Sequence, residues 1–127
     1  MARPATTSDI TENSEDWVEF AQQGTLTANK PTTVIERKVD TGEQYTVERV
    51  GTNGGYNVTI GIYNKNDQLG EDINGILAPI VNGVPQYKLR IPYTFTAGDH
   101  FKLIATATSA HYNAKFVVMG HKIDRGL

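Results

Sequence analysis

The chain has 127 residues, a formal net charge of −2 and no cysteine. This length suits a single domain with one hydrophobic core, and the mixed charges offer no basic face of the kind that binds nucleic acid. The lack of cysteine excludes disulfide bonds, thiolate metal ligands and cysteine nucleophiles, and no apolar run approaches the roughly 18 residues that a membrane-spanning helix needs.

Residues 1–16 are predicted to form a flexible N-terminal arm. Residues 1–14 are polar and rich in Thr, Ser and Glu, a composition that buries too little apolar surface to fold by itself. They lack the apolar core of a secretory signal, so we expect a protein that is not exported by the usual route. Residues 17–127 are predicted to form the single folded domain.

Trp17, Val18 and Phe20 open the folded domain, and two local structures suit them. Ser14 could cap a short helix that ends near Gly24. Alternatively, these residues belong to a first strand, which we favour because the rest of the chain has the patterns of β-structure.

Regular strand signals begin at residue 33. Strands are predicted at residues 33–39, 45–50 and 57–63, with turns at 40–43 and 52–55. The second turn contains Asn53-Gly54, which is a strong hairpin signal. In the third strand, Val58, Ile60 and Ile62 alternate with polar or small residues, so we expect one buried side and one solvent-facing side.

Residues 64–86 are predicted to form a long crossover loop, with room for a short hairpin around Asn82-Gly83. The loop is punctuated by Gly and Pro and contains the aliphatic residues Ile73, Ile76, Leu77, Ile80, Val81 and Val84. An apolar loop of this length either folds over the end of its own domain or meets another subunit.

Three further strands are predicted at residues 87–95, 100–108 and 114–123. Pro92 places the first of them at a sheet edge or at a bulge, because proline cannot donate to a ladder. Alternation predicts that the core is lined by Leu89, Ile91, Tyr93 and Phe95 from this strand, and by Phe101, Leu103, Ala105 and Ala107 from the next.

The second half of the chain repeats the pattern of the first. Residues 41–47 correspond to residues 97–103, and the same alignment matches Tyr56-Asn57 with Tyr112-Asn113. Each unit has a turn with Gly followed by an acid, a strand, a second turn and another strand. Two such units joined by one long crossover predict an all-β fold: an antiparallel β-sandwich, jelly-roll-like, with about 7–8 strands.

Glu43 and Asp99 occupy equivalent places in the two units. A carboxylate that follows a turn glycine can accept backbone N–H bonds, so we predict a turn role for both residues rather than a general-acid pair. The chain has no Gly-x-Ser-x-Gly, no His-Glu-x-x-His and no phosphate-binding glycine loop. We therefore expect no enzyme, no catalytic residue, no metal site and no cofactor.

Two groups of metal-capable residues are interpreted as surface or interface side chains rather than as metal ligands. The histidines, His100, His111 and His121, fall near opposite ends of neighbouring predicted strands, which is awkward for a shared zinc ion. An oxygen-rich segment follows the strand at 57–63, and a solvated surface loop is favoured over a Ca²⁺ site there. Its members are Asn64, Asn66, Asp67, Glu71 and Asp72.

The tyrosines would form a sugar-stacking platform only if they shared one exposed face. We expect Tyr45 and Tyr93 to point inward, and Tyr56 and Tyr112 to point inward or to cap the ends of the sandwich. Tyr63 and Tyr87 are expected to be free.

The combination of a cysteine-free β-sandwich, a polar leader and an apolar loop resembles the jelly-roll decoration (cement) proteins on the capsids of tailed viruses. The resemblance covers residues 33–123, with the turn-strand units Thr41-Gly42-Glu43-Gln44-Tyr45 and Thr96-Ala97-Gly98-Asp99-His100-Phe101. It implies a structural virion protein, with a homotrimer favoured, that binds the major capsid protein or another virion protein. Nucleic acid and membrane are not implied as partners.

Under this interpretation the contacts between subunits come from the leader and the apolar loop. The predicted interface residues are Trp17, Phe20, Ile73, Ile76, Leu77, Ile80 and Val81. Two alternatives stay open. One is a carbohydrate-binding module or receptor-binding head, with Ca²⁺ at Asn66, Asp67 and Asp72. The other is a fibre or pilus subunit that donates its N-terminal segment as a strand to the next copy.

Overall fold

Ten strands and one 3-10 turn make up the described part of the computed structural model, which comprises residues 2–6, 14–74, 80–81 and 84–124. The strands are β1 (Arg3–Pro4), β2 (Glu15–Leu26), β3 (Thr32–Lys38), β4 (Glu43–Thr52), β5 (Val58–Asn64), β6 (Asp67–Asn74), β7 (Ile80–Val81), β8 (Val84–Phe95), β9 (His100–Ala107) and β10 (His111–Asp124), and the 3-10 turn is Gly55–Asn57. Within these residues, no helix has the length and apolarity needed to cross a membrane.

The strands form two antiparallel sheets that share one core. The five-stranded sheet has the order β1-β8-β4-β10-β2, and the four-stranded sheet has the order β3-β9-β5-β6. The two-residue strand β7 pairs with the start of β8. The edges of the five-stranded sheet are therefore β1 and β2, which lie far apart in space although they are consecutive in the chain.

The strand order is that of a jelly roll. The strands pair in a nested series, β2 with β10, β3 with β9, β4 with β8, and β5 with β6. This pairing arises when one long hairpin, with its tip between β5 and β6, is rolled so that successive pairs alternate between two sheets. The predicted antiparallel sandwich with a jelly-roll-like topology is therefore confirmed, and its eight longer strands carry the pattern.

In β5 and β9, the side chains that face the core are those that the alternation of residues in the sequence predicts. Every second residue of β9 is fully buried, and so is every second residue at the start of β5; these are Phe101, Leu103, Ala105 and Ala107, and Val58, Ile60 and Ile62. The two sets lie on neighbouring strands of the four-stranded sheet. They face the apolar residues of the five-stranded sheet, so a single core separates the sheets.

Four aromatic rings join the two sheets through edge-to-face contacts. The ring of Trp17 lies 4.9 Å from that of Tyr45 and 6.0 Å from that of Phe101, and Phe95 lies 5.3 Å from Phe101. Such pairs stabilise a fold by about 0.5–1.5 kcal/mol each beyond their burial. They connect β2, β4 and β8 to β9, so this cluster ties the edge strand β2 to the opposite sheet.

In both sheets, strands of one repeated unit pair with strands of the other unit. In the first unit β4 pairs with β10 of the second, and in the second unit β9 pairs with β5 of the first. The matched turn glycines Gly42 and Gly98 have φ angles of 86° and 91°, a conformation that glycine adopts without steric cost. A backbone hydrogen bond joins the two turns. The amide of Val39, which directly precedes the first turn, donates to the carbonyl of Asp99 in the second turn over 3.0 Å.

Residues 17–23 lie in a strand, so the helical alternative is wrong. β2 spans Glu15–Leu26 and pairs with β10. In the predicted flexible arm, Arg3–Pro4 form β1 and residues 15–16 begin β2, so these four residues are held by strand pairing. Residues 1 and 7–13 lie outside the described residues.

The interpretation of residues 64–86 as one long crossover loop is wrong for its first half. Residues Asp67–Asn74 form β6, which makes a tight hairpin with β5. The polar sequence of β6 gives little strand signal by itself, but pairing with β5 satisfies its backbone. At the other end of the segment, Val81 pairs with Val84, on either side of the predicted hairpin residues 82–83, which lie outside the described residues.

Pro92 lies at a bulge, as predicted. The register between β4 and β8 jumps from Val47↔Tyr93 to Arg49↔Lys88, so several residues of β8 oppose one residue of β4. Within this break, residues 89–92 of β8 lose the regular alternation of inward and outward side chains. Ile91, predicted to face the core, is 52% exposed, and that prediction is wrong.

Candidate interaction surface

The outer face of the five-stranded sheet, which points away from the core, has apolar side chains at its β2 edge. Val18 and Phe20 on β2 are 42% and 45% exposed. In register beside them on β10 lie Met119 and Val117. These residues alternate with the core residues of the same strands, so they form a second, outward apolar row.

The start of β8 folds over this outer face. A Cβ atom on Gly51 would lie 2.1 Å from the carbonyl oxygen of Pro85 and 3.0 Å from Cγ1 of Val117. Only glycine allows the Pro85 carbonyl to stand this close above β4. Val84 and Val117 are both buried, although neither belongs to the central core.

We call Val18, Phe20, Val84, Val117 and Met119 the outer apolar patch. A cavity of about 360 Å³ borders the patch, with Phe20 and Val84 among its lining residues. The patch is half covered from the β8 side by the polypeptide itself, and half open on the β2 side. An open apolar surface on an edge strand is a common feature of protein–protein contacts.

A buried amide lies next to the patch. In the strand register, Gln86 of β8 lies opposite Gly51 of β4, and the same line across the sheet continues through Val117 of β10 to Phe20 of β2. Only 1% of the surface of Gln86 is exposed. Neither its side-chain oxygen nor its nitrogen has a hydrogen-bond partner in the described part of the chain. An unpaired buried amide costs about 1–3 kcal/mol of folding free energy.

The predicted interface residues fall in three different places. Trp17 and Ile73 are 6% and 8% exposed and belong to the central core. They offer almost no surface to a partner, so we correct their assignment to core residues.

Of the other predicted interface residues, Phe20 lies in the outer apolar patch. Ile80 and Val81 form β7, whose backbone lies beside Val84, while their side chains and the residues Ile76 and Leu77 lie outside the described residues.

A polar network fixes the β2 edge from the inside. The carboxylate of Glu19 accepts hydrogen bonds from Nε1 of Trp17 (3.2 Å) and from Nε of Arg37 on β3 (2.9 Å). The Arg37 guanidinium lies 5.7 Å from the ring centre of Tyr45, and the Tyr45 hydroxyl donates to Glu43 over 3.0 Å. Burial, reinforced by the hydrogen bond to Glu43, raises the pKa of Tyr45 to about 12.

The three histidines lie apart, each with its own partner. Nε2 of His100 lies 2.5 Å from Glu36, and Nε2 of His111 lies 3.0 Å from the side-chain oxygen of Asn53. His121 lies between two carboxylates, with Nε2 3.4 Å from Asp16 and Nδ1 3.1 Å from Glu48. Among the described residues, no three His, Asp or Glu side chains are arranged so that they could hold a metal ion.

The oxygen-rich segment after β5 does not converge on a common point. The side chain of Asn64 turns toward the β9 turn, where its Nδ2 donates to Asp99 over 3.3 Å and its Oδ1 accepts the His100 amide over 3.1 Å. Asp72 accepts a hydrogen bond from Gln68 over 2.6 Å on the surface of β6. Asn64 therefore acts as a brace between two turns.

Tyr56 and Tyr112 are 79% and 69% exposed, so the prediction that they pack inward or cap the sandwich is wrong. Tyr56 lies on the 3-10 turn and Tyr112 lies at the start of β10, and asparagine side chains join these two regions at one end of the sandwich. Asn57 Nδ2 donates to the carbonyl of Ser109 over 3.0 Å, and Asn53 Nδ2 donates to that of Asn113 over 2.9 Å. These hydrogen bonds fix where the two rings emerge, while Tyr45 is buried as predicted.

Sequence reasoning missed Val84, Val117 and Gly51 as parts of an outward surface. A signal was present for one of them. Phe116-Val117-Val118 is an unbroken apolar run, and such a run is typical of a strand that is buried on both faces. No pattern in the sequence shows that the Pro85 carbonyl covers Gly51.

No protein-family model, curated protein or solved structure matches this chain.

Proposed function

We propose that this protein is a non-enzymatic structural component that assembles with copies of itself, of the kind that decorates and cements the capsids of tailed viruses. The observation that carries the proposal is the half-exposed pair Val18 and Phe20 on the outer face of the five-stranded sheet. Burying these side chains against a second copy would remove apolar area from water at about 25 cal/mol per Å².

The arrangement of the patch favours self-association over binding of a small ligand. It lies on an edge strand that the aromatic cluster and the Glu19–Arg37 pair hold rigidly to the rest of the sandwich. A rigid contact surface loses little conformational entropy on association. In the proposed assembly, favoured as a trimer, several such subunits bridge neighbouring capsomers, and the multiple contacts resist capsomer separation.

Changing the two exposed patch residues tests the self-association. The combined variant Val18→Ser, Phe20→Glu should lower the mass measured in solution by light scattering, with an unchanged circular dichroism spectrum. Gln23→Glu, on the same strand and exposed, is the matched control and should keep the parental mass. A monomeric parent protein, or an oligomer that both variants leave intact, would contradict the proposal.

The virion assignment is tested separately from self-association. Genes for head assembly beside the gene for this chain, and co-sedimentation of the purified protein with the corresponding capsids, are the expected results. Genes for sugar metabolism or adhesion beside it, together with no capsid binding, would favour the alternatives.

A carbohydrate-binding or receptor-binding role is the second candidate, and the exposed rings of Tyr56 and Tyr112 favour it. Aromatic faces that emerge at fixed positions are suited to stack on sugar rings. Binding on a glycan array that is lost in Tyr56→Ala, Tyr112→Ala would support this role. A melting temperature that rises with Ca²⁺ and falls with EDTA would add the calcium site considered for the β5–β6 region.

A further inference from the structure

The N-terminal strand β1 is a short, weakly bonded strand at the edge of the five-stranded sheet. Arg3 lies opposite Thr94, and Pro4 lies opposite Tyr93. The Ala5 amide donates to the carbonyl of Pro92 over 2.9 Å. Because Pro4 and Pro92 have no N–H, this ladder contains fewer hydrogen bonds than a regular pair of the same length.

The two edges of this sheet are joined by a long connection. β1 pairs with β8 at one edge and β2 pairs with β10 at the other, so the chain between Pro4 and Glu15 must span four strand spacings. At about 4.8 Å each, these amount to roughly 19 Å. The intervening residues 5–14 reach up to about 33 Å when extended. The extended reach of these residues therefore exceeds the straight-line distance between the two edges of the sheet.

The edge that accepts β1 has room for an incoming chain. β8 is detached from β4 around the Pro92 bulge. Next to it, the two sheets part to leave a cleft of about 460 Å³, with Leu69, Ile73 and Tyr93 among its lining residues. A segment from another copy can approach β8 along this cleft, and among the described elements it would displace only the resident β1.

We propose that β1 is an exchangeable strand, and that residues 2–5 of one copy pair with residues Pro92, Tyr93 and Thr94 of β8 in a second copy. This rests on the proposed self-association and names the contact that completes it. The same hydrogen bonds form within and between chains, so exchange carries little cost in bonding. Once copies are held together by the outer apolar patch, the high effective concentration of neighbouring arms drives exchange.

A disulfide trap tests the exchange directly, because the chain has no cysteine. The variant Arg3→Cys, Thr94→Cys places two thiols at directly opposite positions, where Cα atoms about 4.5–5.5 Å apart suit a disulfide. Mild oxidation followed by non-reducing electrophoresis should give covalently linked chains of two or more copies. The single variants Arg3→Cys and Thr94→Cys are the controls for random collision.

A mixing experiment distinguishes pairing of β1 with a neighbour's β8 from pairing within one chain. When the two single variants are mixed and one is mass-labelled, exchange predicts more disulfide between unlike chains than either single variant forms with itself, because only the unlike pair places a thiol of β1 opposite a thiol of a neighbour's β8. Because Thr94 is buried and bonded to Thr46, the pair Pro4→Cys, Tyr93→Cys serves as a second trap. Disulfides confined to single chains, or no disulfide in either trap, would overturn the exchange. The solution mass measured on the same samples shows independently whether the self-association itself holds.

Discussion

The carboxylates of Glu43 and Asp99 make the same contact in the two halves of the chain. Oε1 of Glu43 accepts the amide of Asp40 over 3.0 Å, and Oδ2 of Asp99 accepts the amide of Thr96 over 2.9 Å. Each acid thus closes a turn by binding the backbone three residues earlier, which confirms the predicted turn role. The two closed turns start β4 and β9, the strands around which each half of the sandwich is built.

Asp99 is expected to stabilise the fold in a pH-dependent way. Replacing it with Ala leaves the Thr96 amide and the Asn64 side chain without their acceptor, at a cost of about 1–3 kcal/mol in the free energy of unfolding at neutral pH. The exposed Asp67→Ala is the matched control and should change stability little. Chemical denaturation measures both.

The pH profile of the same variant provides a check on the mechanism. Burial alone would raise the pKa of Asp99, but hydrogen bonds, among them those from the Thr96 amide and from Asn64, lower the pKa below its ordinary value. The stabilisation is therefore complete above the unfolded pKa of about 3.9 and disappears as the pH falls through the lowered folded value. An Asp99→Ala penalty that grows on acidification would contradict this account.

Tyr45 is expected to make the fold sensitive to alkali. Its pKa in the folded protein is about 12, above the value of about 10 in an unfolded chain. Its contribution is therefore complete below about pH 10 and is lost as the pH rises through the folded pKa. Tyrosinate absorbance and melting temperature should change together in that window. Tyr45→Phe should remove this step, whereas Tyr112→Phe, at an exposed position, should keep it.

Ile60 and Thr59 are neighbours that test the strand phase. Ile60 is fully buried, whereas Thr59 lies on the outer side of β5. Ile60→Asp buries an unpaired charge and should lower the free energy of unfolding by more than about 3 kcal/mol. Thr59→Asp can still accept a hydrogen bond from Asn74 and should fold normally. Equal melting temperatures for the two variants would mean that the phase is wrong.

Gln86 should be a position where an apolar side chain stabilises the protein. Gln86→Met keeps the length of the side chain and removes two buried polar atoms that lack partners among the described residues. We expect a gain of about 1 kcal/mol, measured by thermal unfolding at a concentration where copies do not associate. The exposed Gln23→Met is the control. A lower melting temperature for Gln86→Met than for the parent would refute this reading of the site.

Much of the fold was predictable because alternation and turn chemistry act locally. The apolar residues of β5 and β9 fix which sides of those strands face the core, and the Gly-acid turns fix where β4 and β9 begin. The repeat of residues 41–47 at 97–103 then indicates two equivalent units, and two sheets follow from their pairing.

The rest depended on tertiary contacts that leave little trace in the sequence. β6 is polar and has a single buried aliphatic residue, Ile73, so its strand state comes from pairing with β5 rather than from its own propensity. The exposure of Tyr56 follows from the 3-10 turn that carries it, which breaks the alternation. The outer apolar patch depends on the Pro85 carbonyl above Gly51, a contact between residues distant in the chain.

The position of β10 has a consequence for biosynthesis. This strand lies between β4 and β2 in the five-stranded sheet, yet it comes last in chain order. While a ribosome is still translating residues 111–124, β2 has already emerged and has no neighbour to pair with. The sheet can close only after translation of β10, so folding is delayed and non-local, as in other slow-folding β-proteins. A nascent chain that stalls before β10 would leave β2 as an unpaired edge, and such an edge favours aggregation.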